Sequence, residues 1–257
     1  MPTKPTILFV PGAWHVPESY DLVAEQLKAA GYPTVYVSLP SVSSTPIDNF
    51  EPDVDAIRAQ LEPLVEAGSD VVVVAHSYGS MPTNEAIKGL TRADRAAAGG
   101  KGGVAHYVFC SAFITPVGVS LMDALQGKDL PWFIVSPDKK VVHPDNPRDI
   151  FYADLDDATA TRWVERLLPF SYQTYFSKTR YAAYVDVPST FLFCTDDKAI
   201  PPPVQEMMVA GAEQQGVKFA RTTIGASHSP MISRPGEVFE AIKTAADSIA
   251  TRDTINV

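Results

Sequence analysis

Ser77 stands in a setting that can turn a serine into a nucleophile. It closes the segment Val71-Val72-Val73-Val74-Ala75-His76-Ser77-Tyr78-Gly79, with Ala75 and Gly79 two residues away on either side. The β-branched run has the composition of a strand buried on both faces, and the residues after Ser77 can begin a helix. A strand-to-helix turn this tight strains the backbone of its central residue and admits only small neighbours. That is the physical content of the G-x-S-x-G nucleophile elbow, met here as A-x-S-x-G. The chemistry it offers is attack of a serine hydroxyl on a carbonyl carbon.

A serine hydroxyl needs a base to take its proton and a further group to orient that base. The chain has five histidines. His228 lies in the small-residue loop Gly225-Ala226-Ser227-His228-Ser229-Pro230, after the last expected strand, where loops at strand carboxyl ends converge on a site. His76 adjoins Ser77, but neighbours on an elbow diverge, so a place beside the elbow and against substrate is expected for it. His15, in the loop after the first strand, is expected to line the pocket. His106 and His143 read as partly exposed or internally satisfied polar residues. The orienting acid must follow a strand between nucleophile and base. Ser111-Ala112-Phe113-Ile114-Thr115 offers no carboxylate, whereas Thr195-Asp196-Asp197-Lys198 offers two, which spacing alone does not separate. Losing such an acid costs about four orders of magnitude in turnover.

Acyl transfer also requires preorganised donors for the developing oxyanion, each worth roughly 3 kcal/mol of barrier. The backbone N–H of Tyr78, directly after the nucleophile, is one candidate, favoured by the free N–H groups and dipole at a helix start. The loop Pro11-Gly12-Ala13-Trp14-His15 is expected to supply the other, at Ala13.

The elements that must position these residues follow from short apolar runs alternating with helix-period segments, the pattern of βα units around a parallel sheet. Strands are expected at residues 6–10, 34–38, 71–75, 106–110, 190–194 and 219–224. Val23, Leu27 and Ala30 mark one helix face, ending at Gly31. Val54, Ile57, Leu61, Leu64 and Val65 mark a second, and Val238, Ile242, Ala245 and Ile249 a third, with Pro235 near its start. Residues 115–185 break this rhythm with prolines at 116, 131, 137, 144, 147 and 169 and many aromatic residues. They read as a mostly helical cap rather than sheet-forming material, with one helix over residues 156–168. Eleven cap aromatics, Trp132, Phe133 and Trp163 foremost, are candidates to meet an apolar or aromatic substrate, and Trp14 joins them from the core. Gly99-Gly100-Lys101-Gly102-Gly103 lacks the Ser or Thr of a phosphate-binding loop and reads as a flexible connection.

The 257 residues, 46% hydrophobic and 20% charged, suffice for one well-buried core carrying an insertion. A formal net charge of -9 gives no basic footprint for nucleic acid and would be repelled by an acidic membrane surface. No apolar run approaches the roughly 20 residues of a membrane span, and the start of the chain lacks a signal-peptide pattern. A soluble, cytoplasmic protein is expected. Cys110 and Cys194 fall in expected strands and read as free buried thiols. No H-E-x-x-H or paired C-x-x-C spacing is present, so neither metal nor cofactor is expected. The expected partner is a small-molecule substrate; monomer and homodimer stay equally open.

From residue 6 to about residue 249 the chain resembles the α/β-hydrolase superfamily, and within it the plant methyl esterase and hydroxynitrile lyase family. Cys194-Thr195-Asp196-Asp197-Lys198-Ala199-Ile200-Pro201 is similar to that family's C-T-E-D-K-x-I-P, in which the second acidic residue is the triad acid; the resemblance thereby selects Asp197. Val10-Pro11-Gly12-Ala13-Trp14-His15 resembles V-H-G-A-x-H, whose alanine N–H serves the oxyanion hole, with Pro11 replacing the histidine. Gly225-Ala226-Ser227-His228 resembles G-A-D-H, with Ser227 replacing the acid. Ser229 stands where the hydroxynitrile lyases of the group carry a lysine for the cyanide leaving group, which counts against cyanide chemistry.

The resemblance implies an α/β-hydrolase fold: a mostly parallel, doubly wound sheet of about six strands, its core formed by residues 1–114 and 186–257 and its helical cap by residues 115–185. It implies a cofactor-independent serine hydrolase acting on a carboxylic ester or lactone through Ser77, His228 and Asp197. Two other readings share the fold, a lyase or cyclase using His228 as general base and a hydrolase-like ligand receptor.

Overall fold

The computed structural model describes residues 4–255. Nine strands occur among them: β1 (Thr6–Val10), β2 (Thr34–Tyr36), β3 (Asp70–His76), β4 (Gly103–Cys110), β5 (Phe133–Val135), β6 (Val141–Pro144), β7 (Phe170–Ser171), β8 (Ser189–Cys194) and β9 (Phe219–Ile224). Six of them form one all-parallel sheet in the order β2-β1-β3-β4-β8-β9. The sheet runs outward in both directions from β1 and β3, which places the loops after β1 and β3 side by side. This is where a doubly wound sheet forms its crevice.

Every residue of β1, β4 and β8 is buried, as strands covered on both faces of a parallel sheet are. Helix pairs provide the cover. The helix Asp21–Ala29 packs with Pro235–Ile255, and Glu51–Glu66 packs with Ser80–Ile87. Val23 and Leu27, Ile57 and Leu61, and Val238 and Ile242 supply their buried stripes. Burying each such side chain stabilises the fold by about 1.5–3 kcal/mol. None of the described helices is long and apolar enough to cross a membrane.

Two expectations are corrected. The segment 99–103 is not simply a flexible tether, because Gly103 opens β4 opposite Asp70 and donates its N–H to Ser69 O at 3.0 Å. A Cβ on Gly102 would lie 2.4 Å from Ser69 O, so the backbone contact itself demands glycine. The cap, in turn, is not sheet-free: β5, β6 and β7 form a three-stranded antiparallel sheet. Its strands have two to four residues, too few for an alternating pattern to stand out. The prolines fall at its margins, with Pro144 at the last position of β6. The cap helices are short, and Asp157–Val164 is capped by Asp156 accepting from Thr159 N–H at 3.0 Å. It ends before residue 168 because the Leu168 N–H turns to Trp14 O at 3.0 Å.

Candidate active site

The elbow begins where β3 ends at His76. Ser77 opens a single 3-10 turn, Ser77–Gly79, and the helix Ser80–Ile87 follows. Its φ of +51° lies in the left-handed region, a cost a non-glycine residue sustains only where its surroundings fix it. They do so here through the Ser77 carbonyl, which accepts from Ser80 Oγ at 2.9 Å and Phe113 N–H at 3.4 Å. Gly79 makes the turn possible, since a Cβ there would sit 2.3 Å from Pro11 O. The small flanking residue is therefore required by the loop after β1.

His228 follows β9, and its Nδ1–H donates to Asp197 Oδ2 at 2.8 Å, with both side chains almost wholly buried. Asp197 Oδ1 accepts from the Ala199 and Ile200 N–H groups, each at 2.8 Å. Its Oδ2 also receives Ser111 Oγ and, at 3.3 Å, Gln205 Nε2. The carboxylate is thus aimed by the turn that follows it and by the end of β4. Asp196 is exposed; its backbone N–H holds Ala226 O at 3.0 Å and so ties the acid loop to the histidine loop. With Nδ1 committed to a carboxylate acceptor, Nε2 is the ring nitrogen left to accept a proton. Ser77 and His228 line one cavity of about 310 Å³, together with Ala13 and Tyr78. Among the described residues no hydrogen bond joins Ser77 Oγ to the His228 ring.

Aromatic side chains wall this cavity. Trp14, Trp132 and Phe133 line it, joined by Phe151 and Tyr175, so four of the eleven cap aromatics face it. Trp14 has φ +64° and donates its indole N–H to Val142 O of β6 at 2.8 Å, which ties the loop after β1 to the cap. Its ring centroid lies 5.7 Å from that of Trp132 and 5.5 Å from that of Phe151.

Three residues expected against substrate stand elsewhere. Trp163 is off the cavity, half-exposed beneath the Arg166 guanidinium at 4.9 Å, on a helix whose only buried residue is Ala160. His15 and His76 form a layer behind the loops instead. His76 donates Nε2–H to His228 O at 2.9 Å. His15 donates Nδ1–H to Ala13 O at 2.8 Å and accepts the Tyr152 hydroxyl at Nε2, 3.0 Å away. Burial pushes His15 down to about 4 and His76 well below the ordinary histidine range, so both are neutral props near pH 7. His106 is buried and satisfied by Thr190 Oγ1 at 2.8 Å.

Other contributors were not singled out from the sequence. Phe113 and Leu121 line the cavity, as do Ala199 and Ile200, whose place two and three residues after Asp197 was the available signal. Asp53 is fully buried behind the elbow, accepting the Tyr78 hydroxyl at 2.7 Å and Ser41 N–H at 2.8 Å. Burial raises its carboxyl above the ordinary range. The Tyr78 side chain is thereby fixed, its ring packed against Phe170 and Tyr175.

Residues 7–241 match the Alpha/beta hydrolase family. The Alpha/beta hydrolase nvfD of Aspergillus novofumigatus is 34% identical over 247 residues, covering 95% of this chain and 97% of its own. Among solved structures, the pyrethroid hydrolase of Sphingobium faniae superposes with TM-score 0.74 at 18% identity, covering 96% of this chain and 99% of its own. The methylesterase MES16 of Arabidopsis gives TM-score 0.72 at 18% identity, covering 95% and 99%.

Proposed function

This chain belongs to the alpha/beta hydrolase family and is a hydrolytic enzyme, and on that premise we propose that it cleaves a carboxylic ester or lactone of an apolar or aromatic small molecule through an acyl-enzyme on Ser77. The observation that carries the reading is the buried 2.8 Å bond from His228 Nδ1 to Asp197, made at the wall of the cavity that Ser77 lines. Ser77 Oγ attacks the carbonyl carbon as His228 Nε2 takes its proton, and Asp197 stabilises the imidazolium. The Ala13 and Tyr78 N–H groups receive the oxyanion. Collapse expels the alkoxide, which takes the proton back from His228. Water, deprotonated by the same nitrogen, then attacks the acyl group, releasing the carboxylic acid and returning the proton to Ser77. No cofactor enters these steps.

A second reading takes its support from the missing hydrogen bond between Ser77 and His228: His228 as general base of an elimination or cyclisation, with Ser77 only hydrogen-bonding to substrate. One experiment separates the two. In the hydrolase reading a serine-directed phosphonate labels Ser77 stoichiometrically and abolishes turnover of p-nitrophenyl acetate. A Ser77→Ala variant that keeps most of the native activity overturns the acyl-enzyme.

A further inference from the structure

A second cavity abuts the first. It lies between the loop after β4, the short helix Leu121–Ala124 and the helix Pro202–Glu213, and encloses about 970 Å³, part of it open to solvent. Phe113 and Leu121 line both cavities, so one pair of side chains separates them. The backbone of Phe113 is fixed to the elbow, its carbonyl accepting from Ser80 Oγ at 2.8 Å and its N–H reaching Ser77 O. The partition therefore stands one residue contact from the nucleophile.

The walls specify what the second cavity can take. Ile114, Val119, Leu125, Val204, Met207 and Met208 dominate, and no acidic or basic side chain lines it. Its main polar groups already serve each other: Thr115 Oγ1 bonds Thr179 Oγ1 at 2.6 Å, and the Tyr184 hydroxyl donates to Thr115 O at 3.1 Å. A charged occupant would be desolvated there without a partner. The first cavity, about 310 Å³ counting its mouth open to solvent, is much the smaller of the two. We infer that the second cavity receives an uncharged, apolar arm of the ester whose carbonyl lies at Ser77, the arm passing between Phe113 and Leu121.

This rests on the hydrolase reading, and the test keeps the two apart. Gly211 faces the second cavity from the helix Pro202–Glu213, and a Cβ there meets nothing within 4 Å, so Gly211→Phe fills the space without displacing backbone. A side chain in place of glycine also favours the helix. Met208→Glu, a half-buried position, puts a charge in the same space. Wild type and both variants are assayed on p-nitrophenyl acetate against octanoate, and on ethyl acetate against octyl acetate, to sample an arm on either side of the ester. Each methylene entering an apolar cavity raises kcat/KM about fourfold. In the series whose arm enters the cavity, the long-to-short ratio of kcat/KM is expected to fall at least tenfold in both variants. If the esters are cleaved, Ser77 is labelled and the ratio in neither series moves, the arm lies elsewhere and the hydrolase reading stands. If no ester is cleaved and Ser77 stays unlabelled, both readings fall together.

Discussion

The loops at the strand ends and the aromatic wall that the cap sets over them are held by different forces. Around Ser77, His228 and Asp197 the contacts are directional and buried: backbone N–H groups on Asp197, the His76 ring on the His228 carbonyl, and Ser80 on the carbonyl of Ser77. Where the cap walls the cavity it meets the core through aromatic faces around Trp14, and its hydrogen bonds to the core at Ser171, Arg180, Tyr181 and Ala183 are made by residues that do not line that cavity. Hydrogen-bond geometry tolerates little error, whereas aromatic packing can be rearranged at modest cost when volume is kept. On the proposed function, the reaction belongs to the core and selection among substrates to the seam.

The sharpest break between the two regions lies within the pair Asp196 and Asp197. Asp197→Asn is expected to lower kcat by about four orders of magnitude, since an amide fails to hold the imidazole in its working tautomer. Asp196→Asn is expected to leave kcat within about threefold, its role here being carried by the backbone N–H. Steady-state kinetics on p-nitrophenyl acetate, with melting curves to show both variants folded, checks the contrast. Comparable losses in both would remove the reason for assigning the acid to Asp197.

Trp14→Ala probes the seam. It deletes a buried indole, its hydrogen bond to Val142 and its contacts with five cap rings, and is expected to destabilise by about 3–5 kcal/mol. Denaturant unfolding measures this. In the fraction that stays folded, KM is expected to rise more than kcat falls, because what is lost is the substrate wall and not the proton relay.

Between the regions lies the histidine layer, whose signature is pH dependence. His15 titrates near 4 in the fold against 6.5 ordinarily. In that window the unfolded chain binds a proton that the folded chain excludes, so stability is intact above pH 6.5 and is lost as pH falls toward 4. The loss reaches on the order of 3 kcal/mol for His15, and His76 adds to it in the same direction. Melting temperature followed from pH 6.5 to 5 is expected to drop, and to drop less in His15→Gln. An equal slope in the variant would show that His15 is not a buried neutral group.

The core was the more legible region. β1 and β9 have the bounds their apolar runs predict, and β3, β4 and β8 extend theirs by one to three residues. Long parallel strands buried on both faces write themselves as β-branched runs, and Ser77 could be read from its small neighbours. The cap was not legible in the same way, because strands of two to four residues carry no period, and which face of an aromatic-rich segment turns inward depends on packing partners distant in sequence. Trp163 and Trp132 are equally apolar by composition, yet only Trp132 meets Trp14. His15 and His76 were misplaced for a related reason: adjacency to the elbow is visible in the sequence, but the hydrogen bonds that draw both rings behind it are not.

Ser227 gives the finest test of the division between core and seam. It adjoins His228, yet its hydroxyl reaches across to the cap, lying 3.0 Å from Phe151 O and within hydrogen-bond distance of the Asp154 carboxylate. Ser227→Ala removes that link without touching the bond between His228 and Asp197. Stability is expected to fall by about 1–2 kcal/mol, the cost of a lost buried hydrogen bond to a charged group. Turnover of a short ester is expected to fall by less than tenfold, since the imidazole stays held at Nδ1 by Asp197 and at its backbone carbonyl by His76. A loss of turnover approaching that of Asp197→Asn, measured on a variant whose melting curve shows it folded, would mean that the cap helps to orient His228. Reaction and selection would then share one network.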